Sequence, residues 1–136
     1  MKTLYENQFL KITLEDQAPI IIFTWLFDSR IMSEEVYKEE MHKVADFQIT
    51  YKTHKPLVDI REFHFVITPP LQEWVDQNIL GKFIQSGLSK VAYVASNDVF
   101  AQIAVEQTME ETNGSVFKVQ YFKEYEKARN WLMGIE

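Results

Sequence analysis

The alternation of apolar and polar positions changes period several times along the chain, and each change marks an element. Leu10, Ile12 and Leu14 alternate with Lys11 and Thr13, the period-two signature of a strand with one wetted face and so of a place at or near a sheet edge. Glu15-Asp16-Gln17-Ala18-Pro19 supplies turn chemistry, and Ile20 to Phe27 then runs apolar except for Thr24. A β-branched and aromatic run without a polar face predicts a central strand covered on both sides. After Asp28-Ser29-Arg30 the period lengthens. Tyr37, Met41, Val44 and Ala45 recur at helical spacing, predicting an amphipathic helix over Ser33 to Phe47 with Ser33 as its N-cap. Glu34 and Glu35 suit its N-terminal end, and the pairs Glu34 with Lys38 and Glu39 with Lys43 fall at i, i+4, so the charges read as a solvated face.

Pro56 to Ile60 predicts a third strand, and Thr68-Pro69-Pro70 reads as an N-cap followed by prolines in a first helical turn, where their missing N–H groups are not needed. Leu71, Trp74, Val75 and Ile79 form that helix's apolar stripe, with Gly81 as its stop. Lys90 to Ala95 is a fourth strand. Ser96-Asn97-Asp98 offers caps for a third helix facing inward through Phe100, Ile103, Ala104 and Gln107 and ending at Asn113-Gly114. Val116 to Phe122 alternates again as a fifth strand, and Tyr125, Ala128, Trp131 and Leu132 define a closing helix. The order ββαβαβαβα predicts an α/β fold: a single mostly parallel five-stranded sheet with an antiparallel edge strand and four helices on its faces. A length of 136 residues suits one domain spanning 1–136.

Composition narrows the class. With 46% hydrophobic residues the chain can build its own core without metal or disulfide staples. A net charge of −6 is the wrong sign for holding nucleic acid or anionic lipid, so no nucleic-acid partner is expected. The absence of Cys removes disulfides, thiol nucleophiles and thiolate metal sites, and it fits a reducing, cytoplasmic compartment. The polar start of the chain argues against a signal peptide, and the eight-residue run Ile20–Phe27 is far short of the roughly 20 residues a membrane-spanning helix needs.

In open α/β sheets ligands collect beyond the carboxyl ends of the parallel strands. The loops Asp28-Ser29-Arg30, Asp59-Ile60-Arg61-Glu62 and Ser96-Asn97-Asp98 converge there, placing Arg30, Asp59, Arg61, Thr68 and Asn97 at a candidate polar rim. The plainer reading makes Ser96 or Asn97 a cap and pairs Asp59 with Arg30 or Arg61. His42 falls at a polar helix angle and reads as solvated, and His54 and His64 flank Asp59 at a spacing that matches no metal motif. Metalloprotease, hydrolase-elbow and phosphate-loop motifs are missing, and four glycines cannot assemble a dinucleotide fingerprint, so no enzyme activity, cofactor or metal is expected. A hydrolase or isomerase built on Asp59, Arg61 and His64 is the catalytic alternative. Phe63, Phe65, Val66, Ile67, Leu71 and Trp74 crowd a connection that would ordinarily be polar. They close the core beneath the second helix, line a lipid-like pocket, or expose a patch for another protein or a second copy of this one.

The element order, together with Leu57-Val58-Asp59-Ile60-Arg61, the proline-flanked helix from Thr68, and Lys90-Val91-Ala92-Tyr93-Val94-Ala95-Ser96-Asn97-Asp98, resembles the STAS superfamily over nearly the whole chain. It is similar in particular to the SpoIIAA-like branch of small bacterial proteins, which is also compared with lipid-binding CRAL-TRIO domains. The resemblance implies a regulatory or ligand-binding module. Family members that act as anti-sigma-factor antagonists are switched by phosphorylation of a Ser at the start of the helix after the third strand. This chain has no Asp-Ser-Ser-Gly-like segment there, and Thr68 is the hydroxyl nearest the helix start. The expectations are a non-enzymatic cytosolic STAS-like module binding a protein partner or itself as a homodimer through Arg30, Asp59, Arg61, Phe63, Phe65, Thr68, Trp74 and Asn97, or a carrier of a small apolar or amphipathic ligand.

Overall fold

A computed structural model describes residues 1–94 and 117–135. Strands β1 (Lys2–Glu6), β2 (Leu10–Leu14), β3 (Ile20–Trp25), β4 (Lys55–Asp59), β5 (Lys90–Val94) and β6 (Lys118–Phe122) form one mixed sheet in chain order. The pairs β1·β2 and β2·β3 are antiparallel, and the pairs from β3 to β6 are parallel. A 3-10 helix (Phe27–Ile31) follows β3. The α-helices among the described residues are α1 (Glu34–Thr50), α2 (Pro69–Asn78), α3 (Leu80–Gln85) and α4 (Tyr125–Met133). None of them is long and apolar enough to cross a membrane.

β3 organises the layers. Ile21, Phe23 and Trp25 point to one face of the sheet and join the cluster packed under α1, α2 and α3, while Ile20 and Ile22 point to the other and pack with Ala128 and Leu132 of α4. Each such side chain contributes about 1.5–3 kcal/mol when removed from water, so neither face tolerates exposure. β5 repeats the division, with Val91 and Tyr93 on the first face and Ala92 and Val94 on the second.

Several expectations need correction. Among the described residues the sheet has six strands, because β1 adds an edge outside β2. Its register shifts between Thr3 and Tyr5, so Leu4 and Tyr5 both pack against the core and the period-two signal is lost. The predicted edge strand is therefore second from the edge. Gly81 does not stop the second helix: the chain turns at Ile79 and continues through Gly81 in α3, ending before Gly87, whose φ of 82° is the left-handed value that favours glycine. Ser33 does cap α1, its Oγ accepting from Val36 N–H at 3.2 Å, but the helix extends to Thr50. The third helix expected after Ser96-Asn97-Asp98, with Ser96 or Asn97 as its cap and its end at Asn113-Gly114, lies outside the described residues.

The charges of α1 are not all solvated. Glu35–Lys38 at 3.9 Å and Glu40–Lys43 at 3.8 Å pair at i, i+3 within the helix, and Asp46 pairs with Lys82 of α3 at 3.6 Å. Glu40 is only 2% exposed and accepts from Asn7 Nδ2 and, at 3.4 Å, from Tyr5 Oη. Lys43 Nζ donates to the same Tyr5 oxygen at 2.7 Å, and Asn7 Oδ1 accepts from the N–H groups of Phe9 and Leu10. This clasp fastens α1 to the β1–β2 hairpin. His42 is likewise half-buried, its ring edge-on to Trp74 at 5.3 Å with Lys82 Nζ at 3.4 Å from Nδ1.

Glu40→Ala leaves the amide of Asn7 without its acceptor, and it is expected to lower the unfolding free energy in urea by about 2–3 kcal/mol. Glu40→Gln, which keeps an acceptor, loses less. Equal stability of wild type and Glu40→Ala would show that the clasp contributes nothing.

Candidate functional site

The rim residues do not gather into a reactive cluster. Asp59 at the end of β4 accepts from Arg61 three times, from Nε at 3.0 Å, from Nη2 at 2.8 Å and from the backbone N–H at 3.1 Å. That fork-to-fork pairing consumes the carboxylate and holds the loop in a tight turn. Hydrogen bonding to Asp59 pushes the Arg61 guanidinium pKa further up. Arg30 is elsewhere, its guanidinium 4.7 Å from the centroid of the Phe27 ring. His64 lies 3.7 Å from Glu62 and edge-on to Phe27 at 5.2 Å. Buried Ser29 ties the two loops: its Oγ accepts from His64 N–H at 3.2 Å and is 3.4 Å from the Glu62 carbonyl oxygen. Thr68 occupies the N-cap position of α2 without a side-chain cap bond. Asn97 lies outside the described residues. No group of His, Asp and Glu among the described residues could hold a metal ion.

The aromatic connection is buried. Phe63 is in the core beside Trp25, ring centroids 5.2 Å apart, and Phe65 stacks on Tyr37 at 4.9 Å. Trp74 of α2 is half-buried, packed against the core with His42 edge-on and Lys38 of α1 over its ring. Exposed apolar surface is found instead on neighbouring residues: Phe27 (50%), Ile31 (56%) and Val66 (56%).

Between the sheet and α1–α3 the packing leaves a cavity of about 70 Å³. Phe23, Trp25, Val58, Val91 and Tyr93 form its floor. Tyr37, Met41, Val44 and Gln48 of α1 form one wall, and Phe63, Val75, Leu80 and Phe83 close it. An apolar cavity of about 150 Å³ takes up benzene, so this space, less than half of that, is too small for a long acyl chain. The charge class is equally clear: the described lining has no acid, lysine, arginine or histidine.

Polar atoms are few. Gln48 is 1% exposed; its Nε2 donates to the His54 carbonyl at 3.1 Å, while Oε1 has no partner. Burial lifts the Tyr37 phenol far above its ordinary value, with Tyr93 adding to the shift, and burial alone does the same to Tyr93. Both therefore stand as neutral hydroxyls. Gln48, Tyr37 and Tyr93 were not among the residues expected at the site. Gln48 continues the stripe of Tyr37, Met41 and Val44 by one more turn, a signal present in the spacing.

A protein-family model described as SpoIIAA-like matches residues 25–133, more than half of the chain. Comparison with curated proteins and with solved structures gives no match.

Since the folded state holds the Tyr37 and Tyr93 protons above the ordinary pKa of about 10, their contribution to stability is complete below that pH and lost as pH rises through and beyond it. In a near-ultraviolet titration these two phenols are expected to stay silent until the chain unfolds, and Tyr37→Phe with Tyr93→Phe should move alkaline unfolding to higher pH. Reversible ionisation of every tyrosine near pH ~10 in the folded protein would show that the two are not sealed.

Proposed function

The chain belongs to the SpoIIAA-like family, and from that premise we propose that it is a non-enzymatic, cytosolic binding module of STAS type that takes up a small apolar or amphipathic ligand between its sheet and the α1–α3 layer. The observation that carries this reading is the cavity of about 70 Å³ walled by Tyr37, Val44, Phe63 and Tyr93. A domain core is ordinarily packed as densely as an organic crystal, so a void of this size forfeits dispersion contacts unless something fills it. The engagement of Asp59 by Arg61 supports the absence of catalysis, because the rim's best-placed carboxylate is neutralised within its own loop.

A regulatory contact with a protein or with a second copy of the chain is the second reading, favoured by exposed Phe27, Ile31 and Val66 beside Arg30. On this reading Phe63 and Phe65 support the surface from beneath and do not touch the partner. Arg61 is exposed, and Thr68 at the start of α2 follows Val66 by two residues.

Native mass spectrometry of freshly purified protein is expected to show added small-molecule mass that disappears under denaturing conditions. Val44→Phe, which fills the space at a cost of about 1–3 kcal/mol in packing strain, should remove it while circular dichroism confirms the fold. Bare protein in every preparation, with no thermal shift from any small apolar compound, would overturn the ligand reading. For the second reading, sedimentation should show self-association that Phe27→Asp with Val66→Asp abolishes; a wild type monomeric at every concentration would remove the homodimer.

A further inference from the structure

The wall of the cavity is not equally thick all round. Phe23, Ile60 and Val75 line it from positions fully enclosed by the fold, whereas Phe83 of α3, Leu88 just after it and Met41 of α1 line it and are also partly exposed. The space comes nearest to solvent along the seam between α3 and α1. α3 is also weakly secured. Its six residues are far too few for a helix to hold itself in water. Ile79 at its N-cap gives no side-chain cap bond, and Gly81 within it lowers helix stability although a Cβ there would meet nothing within 4 Å. Lys82 ties it to α1, lying 3.6 Å from Asp46 and 3.4 Å from His42 Nδ1, but an ion pair this exposed contributes little. α1, by contrast, is clasped to the β1–β2 hairpin through Glu40 and bonded through Gln48 to the turn before β4. What keeps α3 shut is the burial of Leu80 and the partial burial of Phe83.

We infer that α3 is the gate of the cavity: its local unravelling withdraws Phe83 and opens a way in along α1 while the sheet and α1 stay folded. This deepens the ligand reading given above and rests on it. The closed space of about 70 Å³ is under half of an apolar cavity that takes up benzene, so a ring-sized occupant is held only with this wall displaced. Phe83 is the plug, and Gly81 keeps the helix that carries it close to unravelling.

The chain has no cysteine, so one introduced thiol reports access to the place where it is put. Val91→Cys puts it on the cavity floor, and Val94→Cys, on the same strand, puts it on the opposite face in the α4 cluster. With methyl methanethiosulfonate and no denaturant, the Val91→Cys protein should be labelled at least about tenfold faster than the Val94→Cys protein, at a rate that low urea leaves unchanged, as a local opening requires. In that regime a second substitution, Gly81→Ala, should slow labelling of the Val91→Cys protein about fivefold, the gain in helix propensity of alanine over glycine, and Phe83→Ala should speed it several-fold. Equal labelling at the two positions, rising together with urea, would show that the cavity is reached only by unfolding and would overturn the gate. Fast labelling of the Val91→Cys protein that neither α3 substitution alters would place the entrance elsewhere and overturn it too. In either case a ligand seen by native mass spectrometry would keep the ligand reading without α3 as its door. Labelling as expected in a protein that takes up no ligand would remove the ligand reading, and the gate with it.

Discussion

Everything in this fold follows from a strand that has no polar side. Ile20, Ile21, Ile22, Phe23 and Trp25 are all buried, so β3 must be covered above and below. A single hairpin partner could not do that, and the layers on the two faces are the consequence. The two layers are unlike. On the α4 face the contacts are made by Ala18, Ala92, Ala128, Ile20, Ile22 and Leu57, small and branched side chains that let the helix approach closely. On the other face Trp25, Tyr37, Phe63, Phe65 and Tyr93 are large flat groups, pitched at angles from stacked to edge-on. Rigid rings of this size do not interdigitate as Ala and Leu do, and the cavity lies on their side of the sheet.

Polar groups hold the periphery of this sandwich. Lys55 Nζ donates to the carbonyl of Leu132 at 2.9 Å and Lys90 Nζ to that of Trp131 at 3.3 Å, so the sheet's lysines satisfy the C-terminal end of α4 and its dipole together. At the opposite end Glu15 receives Tyr125 Oη and Arg129 Nε, both at 2.6 Å. The clasp at Glu40 does the same for α1. Helices on both faces are thus tied down by side chains from the antiparallel hairpins or the strand ends, while the centre is left to packing.

Much of this was legible in the sequence because the parallel strands and α1, α2 and α4 bury regular stripes. The run from Ile20 to Trp25 and the spacing of Tyr37, Met41 and Val44 translate into the packing they predict, whereas Phe27 at the end of that run is 50% exposed, and in β2 Thr13, expected on a wetted face, is buried while Leu14 is only partly so. The Asp59–Arg61 pair was one of two partners offered by sequence. What escaped notice had no periodic trace. β1 is bulged, so its inward residues are adjacent and not alternate. α3 follows a turn at Ile79 without proline or a left-handed residue, and a glycine inside it looked like a stop. The inward-facing acid Glu40 is hidden because hydropathy reads it as solvated, while its partners Tyr5 and Asn7 are more than 30 residues away in the chain.

The two buried polar side chains of α1, Glu40 and Gln48, are satisfied to different degrees. Glu40 has both carboxylate oxygens engaged, one by Asn7 and the other by Tyr5 and Lys43, so its position is explained within the fold. Gln48 is explained only in part. Its Nε2 closes the carbonyl of His54 in the turn leading into β4, a role that accounts for an amide donor at that place. Nothing among the described residues answers Oε1, and an unsatisfied acceptor at 1% exposure opposes folding. A lysine or arginine could supply the same donor, but would introduce a charge into an apolar wall. A neutral amide supplies the donor to the His54 carbonyl without bringing a charge into that wall.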